Sequence, residues 1–435
     1  MLTLWGSSTG NGFCDGMGRR DFIRLGALGA GVSTLTLADL LRHKAQGASR
    51  KTAGKARAAI MIYLPGGPSH MDMYDLKPDA PKEFRGDFSP IATNVPGAQI
   101  CEHFPLQARM FDKLAVVRSL VAVDEHSDSQ VMTGFSEQTN RLQQHPSFGS
   151  VLSRLRGSAG ASSGDPVPPF VSLRGMSRGT EPGFLGVAHR PFTPNGPGLA
   201  NLKAAGVNTG ANLDARRNLL GGLDDLRRDI DATGTLTGLD AFTSRAFDMV
   251  TSGVVRDALN LDKEVPATRA RYKGVESFLT ARRLVEAGVS CVTLSVGGWD
   301  THSGNFTTLK KQLPEVDRGI ANLVGELHER GMGDDVAVVM WGEFGRTPKV
   351  NSSAGRDHWS PVMSALVAGG GMKMGQMVGS STARGERPKD RPYTVSNLLA
   401  TLYGAMGIDP AMTFNNGSGR PVHLLEDRGL VTELA

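Results

Sequence analysis

The fold is decided by residues 275–341, VESFLTARRLVEAGVSCVTLSVGGWDTHSGNFTTLKKQLPEVDRGIANLVGELHERGMGDDVAVVMW. Glycines punctuate this stretch. Val275–Ala287 predicts a helix, with Phe278, Leu279, Leu284 and Val285 inward and Gly288 as its stop. Cys291–Val296 is a short, continuous apolar run, the pattern of a strand buried on both faces. Across Asn305–Arg330 the apolar residues Phe306, Leu309, Leu313, Val316, Ile320, Leu323 and Leu327 recur at three- and four-residue steps, predicting a long amphipathic helix that ends at Gly331. Asp335–Trp341 predicts the next buried strand. Helix–strand–helix–strand order implies right-handed crossovers and a largely parallel sheet. In such sheets ligands bind beyond the carboxyl ends of the strands.

Working outward, Ala58–Leu64 (AAIMIYL) predicts another buried strand, closed by the turn Pro65-Gly66-Gly67-Pro68. Leu114–Val123 and Phe170–Leu173 predict two more, and 157–169 a loop. Residues 213–260 read as mainly helical, with Leu219, Leu220, Leu223 and Leu226 on one face, so that about 205–270 is expected to form a helical insertion or cap.

The N-terminus has a different character. Arg19-Arg20 precede a moderately apolar run, Leu25–Leu41, followed by Arg42, His43 and Lys44 and by small residues up to Ser49. This is the layout of a twin-arginine signal within 1–50, leaving 51–435 as the working domain, exported to the periplasm or beyond by the twin-arginine machinery. The run is too short, and carries Asp39, for a permanent membrane span. The full chain of 435 residues has a net charge of +5. Six Lys/Arg and three Asp/Glu of residues 1–50 account for three of those charges, leaving +2 and no basic face for nucleic acid. Cys101 and Cys291 of the domain could form at most one disulfide.

Polar clusters follow the predicted strands. Gly297–His302 follows the strand at 291, Gly342–Pro348 the strand at 335, and Gly355–Trp359 comes a loop later. Asp300 and His302, two apart, point the same way on an extended segment. Carboxylate with imidazole suits a divalent metal such as zinc or manganese. Arg346 offers a planar cation to phosphate or sulfate oxygens. Pro68–Asp72, with His70 and Asp72, and Asp124–Ser129 could join these clusters. Ser127 is a candidate nucleophile, with an N-cap role for Ser127 or Asp128 as the alternative. His103 reads as a loop histidine outside the site.

Pro65–Pro81, Cys101–Leu120, Pro182–Gly186, Ala281–Gly288, Gly298–His302, Gly342–Pro348 and Gly355–Trp359 together resemble the exported bacterial proteins of domain-of-unknown-function family 1501. Their fold is similar to that of the alkaline phosphatase and sulfatase superfamily: a three-layer α/β sandwich with a metal site at the strand ends. The resemblance implies a metal (zinc, manganese or calcium) held by Asp300, His302, Glu343 and His358, with His70 and Asp72 serving a second. It also shows departures. Pro65-Gly66-Gly67 stands where the superfamily carries an aspartate, and Glu343-Phe344 where it carries Asp-His. The Cys/Ser-x-Pro-x-Arg motif of formylglycine sulfatases is absent, so that class is excluded.

Three functions stay open on this reading. The first is a metal-dependent hydrolase of phosphate or sulfate esters, on small molecules or glycans. The second is a non-catalytic exported protein that binds a glycan or a partner in the same cleft. The third is a protein with a purely structural metal.

Overall fold

The structure is a computed structural model that describes residues 27–30, 33–36, 56–157, 167–175, 177–194 and 253–435. The chain divides into two units, 1–53 and 54–435. In the first, Ala27–Ala30 and Ser33–Thr36 pair as an antiparallel hairpin. The rest of the expected signal lies outside the described residues, as do most of the 157–169 loop and positions 205–252 of the expected helical insertion.

The second unit is built on an eight-stranded sheet. Its strands are β1 (Ala58–Tyr63), β2 (Leu114–Val121), β3 (Phe170–Ser172), β4 (Cys291–Ser295), β5 (Val336–Trp341), β6 (Met363–Gly369), β7 (Gln376–Val378) and β8 (Tyr393–Thr394). The order is β7-β2-β6-β5-β1-β4-β3, with β8 also on β2. Among the described residues β6 is the one reversed strand, antiparallel to β5 and β2, while every other pair is parallel.

β1 and β5 are apolar and buried along their whole length because both faces are covered. Ile60 and Ile62 of β1, with Val338 and Met340 of β5, pack under Phe278, Leu279 and Leu284 of α2 (Glu276–Glu286) and Leu313, Val316 and Ile320 of α3 (Asn305–Glu329). Ala59, Met61 and Tyr63, with Val339 and Trp341, face the other way. There they meet Phe148, Val151 and Leu152 of α1 (Phe148–Arg156) and Leu398, Leu399 and Leu402 of α4 (Val395–Ala405). The result is a three-layer α/β sandwich with a mostly parallel sheet. The described end of the expected insertion, Gly253–Leu259 and Pro266–Arg271, is helical, and Val255 and Ala258 enter the core on the α2 side. No helix among the described residues is long and apolar enough to cross a membrane. Cys101 and Cys291 are free and buried in opposite cores, so they form no disulfide.

The reversed strand has a consequence for function. Parallel strands β1, β2, β4 and β5 all deliver their carboxyl ends to one edge of the sheet. β6 runs the other way, so the segment that precedes it, Gly355–Trp359, arrives at that same edge.

Candidate metal centre

At this edge β1 turns through Gly66 and Gly67, at φ 103° and 74°. Neither tolerates a side chain: a Cβ on Gly66 would collide with the backbone of Asp300, and one on Gly67 with the ring of Phe344. Glu343, two residues past β5, holds the turn, its Oε1 accepting from Gly66 N (2.8 Å) and Oε2 from Gly67 N (3.2 Å). Tyr63 also bonds this carboxylate, and burial with the neighbouring negative charge pushes the phenol well above its usual range.

Above the turn three polar atoms form a tight triangle. His302 Nε2 lies 3.0 Å from Asp300 Oδ1 and 3.1 Å from His358 Nε2, and His358 Nε2 lies 3.2 Å from the same Oδ1. His126, from the segment after β2, brings Nε2 to 3.9 Å from Asp300 Oδ2. Single ligand atoms of His126, Asp300 and His358 all fall within 4.8 Å of one another. Phe344 packs against the rings of both His126 and His358, fixing their planes.

Behind each imidazole stands a carboxylate. His302 Nδ1 is 2.6 Å from Asp357 Oδ1, His126 Nδ1 is 3.3 Å from Glu343 Oε1, and His358 Nδ1 is 3.7 Å from Asp124 Oδ1. A ring N–H given to a carboxylate leaves the other nitrogen as a bare lone pair. Asp357 on Nδ1 leaves His302 Nε2 a lone pair, and His358 Nε2 bonds Asp300 Oδ1 through a proton that a cation would replace, which would leave two ring nitrogens and a carboxylate oxygen facing the ion. Carboxylate-backed imidazoles are the usual support of metal-binding histidines. Zinc–nitrogen bonds of about 2.0–2.1 Å in a tetrahedron place donor atoms roughly 3.3 Å apart, close to the spacing found. The donor set therefore fits a divalent ion. Its two imidazole nitrogens favour zinc over calcium, which takes oxygen ligands.

Burial alone would raise the pKa of Asp300. Hydrogen bonds from Arg346 and His358 and the charge of Arg346 outweigh it and hold the carboxyl at about 2. Burial pulls His358 below the ordinary imidazole value, against its hydrogen bond to Asp300. Both shifts keep the pair in metal-binding form at neutral pH.

The structure thus brings Asp300, His302 and His358 together, with Glu343 behind His126. It assigns other partners to the remaining residues singled out from the sequence. Arg346 is fully buried: Nε donates to Gly67 O, Nη1 to Arg356 O, and Nη2 to Gly66 O and, at 2.5 Å, to Asp300 Oδ1. With its donors occupied it orients Asp300 rather than receiving an external anion. Asp72 is buried against Arg356, accepting from its Nε (2.7 Å) and Nη2 (3.0 Å), from Ser69 Oγ (2.7 Å) and from Asn305 Nδ2 (2.9 Å). Four donors saturate the carboxylate, so it is no metal ligand. His70 is buried on a single helical turn, Nε2 on Gly385 O (2.9 Å), and does not build a second metal site with Asp72. Ser127 Oγ accepts from Ser129 N (3.2 Å) and bonds Glu137, while Asp128, the residue before the helix Ser129–Thr133, makes no side-chain cap there and accepts instead from Ser177 Oγ and Gly179 N.

His126, Asp124 and Asp357 lie within the clusters Asp124–Ser129 and Gly355–Trp359 that the sequence marks, but nothing local to the sequence distinguishes their side chains from the other polar groups there.

The profile of a family described as "Protein of unknown function (DUF1501)" matches residues 56–435. The chain belongs to the DUF1501 family. That match spans the whole sheet and every residue of the centre. No curated protein matches this DUF1501 chain in sequence. Among solved structures it is similar to the lipoteichoic acid synthase LtaP from Listeria monocytogenes, at 10% identity and a TM-score of 0.33, covering 87% of this chain and 77% of that one. It is also similar to Ps i-CgsB, at 13% identity and a TM-score of 0.34, over 80% and 72% of the two chains. A third similar structure is the phosphonate monoester hydrolase SpPMH from Silicibacter pomeroyi, at 12% identity and a TM-score of 0.30, over 81% and 74%.

Proposed function

We propose that this DUF1501 protein is an exported, metal-dependent hydrolase of phosphate or sulfate esters, including esters carried by glycans. The observation that carries the reading is the convergence of His302, His358 and Asp300 within 3.0–3.2 Å, with His126 alongside and a carboxylate behind each ring. A bound zinc or manganese ion would supply Lewis acidity toward an ester oxygen.

The chain's own groups do the rest. Arg346 keeps Asp300 ionised and aimed. Asp357 and Glu343 set the tautomers of His302 and His126, and Asp124 stands 3.7 Å behind His358. The side chains of His126, Asp300 and His302 are each about half exposed, so a substrate and water can reach them. Water, rather than Ser127, is the attacking group, because the serine hydroxyl is committed to its own turn. Export rests on Arg19-Arg20 and the apolar run behind them.

One observation favours a second reading, a non-catalytic exported protein that binds a glycan or a partner: Asp300 already has a counter-ion in Arg346. Metal analysis and turnover separate the two. The purified domain is expected to carry zinc or manganese and to hydrolyse members of a panel of aryl phosphates, phosphodiesters and sulfates. Asp300→Ala combined with His358→Ala should lose both properties. Equally negligible metal in wild type and variant would sink the proposal, and metal without turnover would favour the binding protein.

A further inference from the structure

Beneath the centre the sheet comes apart locally. The β5–β6 ladder runs from Ala337–Gly369 to Met340–Leu366 and goes no further, and β6 shifts register against β2 between Met363 and Ala365. A cavity of about 10 Å³ lies there, lined by Trp341 of β5, Ser364 of β6 and His70 of the turn after β1, with Leu64 and Tyr74 among its apolar walls. It has room for one water.

Three buried polar atoms belonging to this lining have no hydrogen-bond partner among the described residues: Trp341 Nε1, His70 Nδ1 and Ser364 Oγ. Their chemistry differs. An indole N–H can only donate. His70 Nε2 faces the carbonyl oxygen of Gly385 at 2.9 Å and so carries the ring proton, which leaves Nδ1 an acceptor. The serine hydroxyl can do either. Buried polar groups in native proteins are almost always paired, by ordered water where no protein group reaches.

We propose that this cavity is a built site for one structural water, which accepts from Trp341 Nε1–H, donates to His70 Nδ1 and completes its bonding at Ser364 Oγ. The donor and acceptor pattern selects the occupant. A metal cation cannot accept from the indole, and an unprotonated anion cannot donate to the imidazole. The water ties together the elements that deliver the centre. Trp341 stands two residues before Glu343. His70 Nδ1 lies against the Gly345–Arg346 segment so closely that a Cβ on Gly345 would sit 2.9 Å from it. This inference does not depend on the proposed hydrolase activity.

A high-resolution crystal structure of the wild-type chain should show one fully occupied water within hydrogen-bond distance of all three atoms. Empty density, or a His70 ring bonded directly to Trp341 or Ser364, would overturn the site. In solution, the pair Ser364→Ala and Ser364→Val gives an independent answer. Alanine leaves room for the water and two of its partners, whereas valine displaces it and orphans Trp341 and His70. The valine variant should therefore melt below the alanine variant. Valine melting at or above alanine would mean a dry void that the two added methyl carbons fill favourably, and the proposal would fail.

Discussion

Asp357 acts through His302, holding Nδ1 at 2.6 Å while itself accepting from the Asn351 side-chain amide and donating its backbone N–H to Thr347 Oγ1. Asp357→Asn keeps the shape and removes the charge that sets the ring. If His302 holds a metal, affinity should weaken about 10–100-fold, as for other carboxylates behind ligand histidines. Chelator competition measures this, and an unchanged Kd would mean that His302 is not a ligand. Glu264 shows charge serving stability alone. Burial would raise its pKa, but hydrogen bonds from Arg282 and Arg283 hold it at about 2. The folded value lies below the ordinary glutamate value of about 4.3. Its stabilisation is therefore fully present above about pH 4.5 and is lost as pH falls toward 2. Glu264→Gln should unfold at lower urea than wild type at pH 7, with the gap narrowing at pH 3. A gap independent of pH would contradict the assignment.

At the scale of elements, the α2–α3 contact depends on Gly319. A Cβ there would lie 2.6 Å from the Phe278 ring, which is fully buried. Alanine favours a helix by about 1 kcal/mol over glycine, whereas overpacking a rigid core costs about 1–3 kcal/mol. The second effect wins here because the neighbour is an enclosed aromatic ring rather than the end of a flexible chain. Gly319→Ala is expected to lower stability by up to about 2 kcal/mol in urea titration. A gain would show that the two helices can separate freely. The reversed β6 is the other decisive element. Were it parallel to β5, its leading segment would emerge at the opposite edge, and His358 would lie far from Asp300.

For the whole molecule, the centre exists only in the folded chain, since its residues run from His126 to His358. Export after folding would let the ion be loaded where its availability is controlled, because raw affinity discriminates poorly among divalent metals. Replacing Arg19-Arg20 with two lysines should leave the protein in the cytoplasm with its metal content unchanged, as cell fractionation would report. Continued export of the lysine variant would remove the twin-arginine route from the proposal.

Much of the fold is local information. Ala58–Tyr63, Val336–Trp341 and the two helices between Glu276 and Glu329 are legible because hydrophobic periodicity acts over a few residues. The same holds for the turns closed by Gly66-Gly67, Gly288 and Gly331. Residue type and strand-end position also pointed to Asp300, His302 and His358. Pairing across the chain lay beyond such a reading. Asp72 reads as a ligand in the sequence, but Arg356, 284 positions away, supplies two of the four donors that saturate it. Arg346 looked like an anion receptor until the carbonyls of Gly66, Gly67 and Arg356 were found on its donors. His126 reaches the centre because β2 ends at the same edge as β5, with only the reversed β6 between them. A titratable side chain's role is set by whichever groups meet its hydrogen-bonding capacity, and in a sheet of crossovers those groups are neighbours in space rather than in sequence.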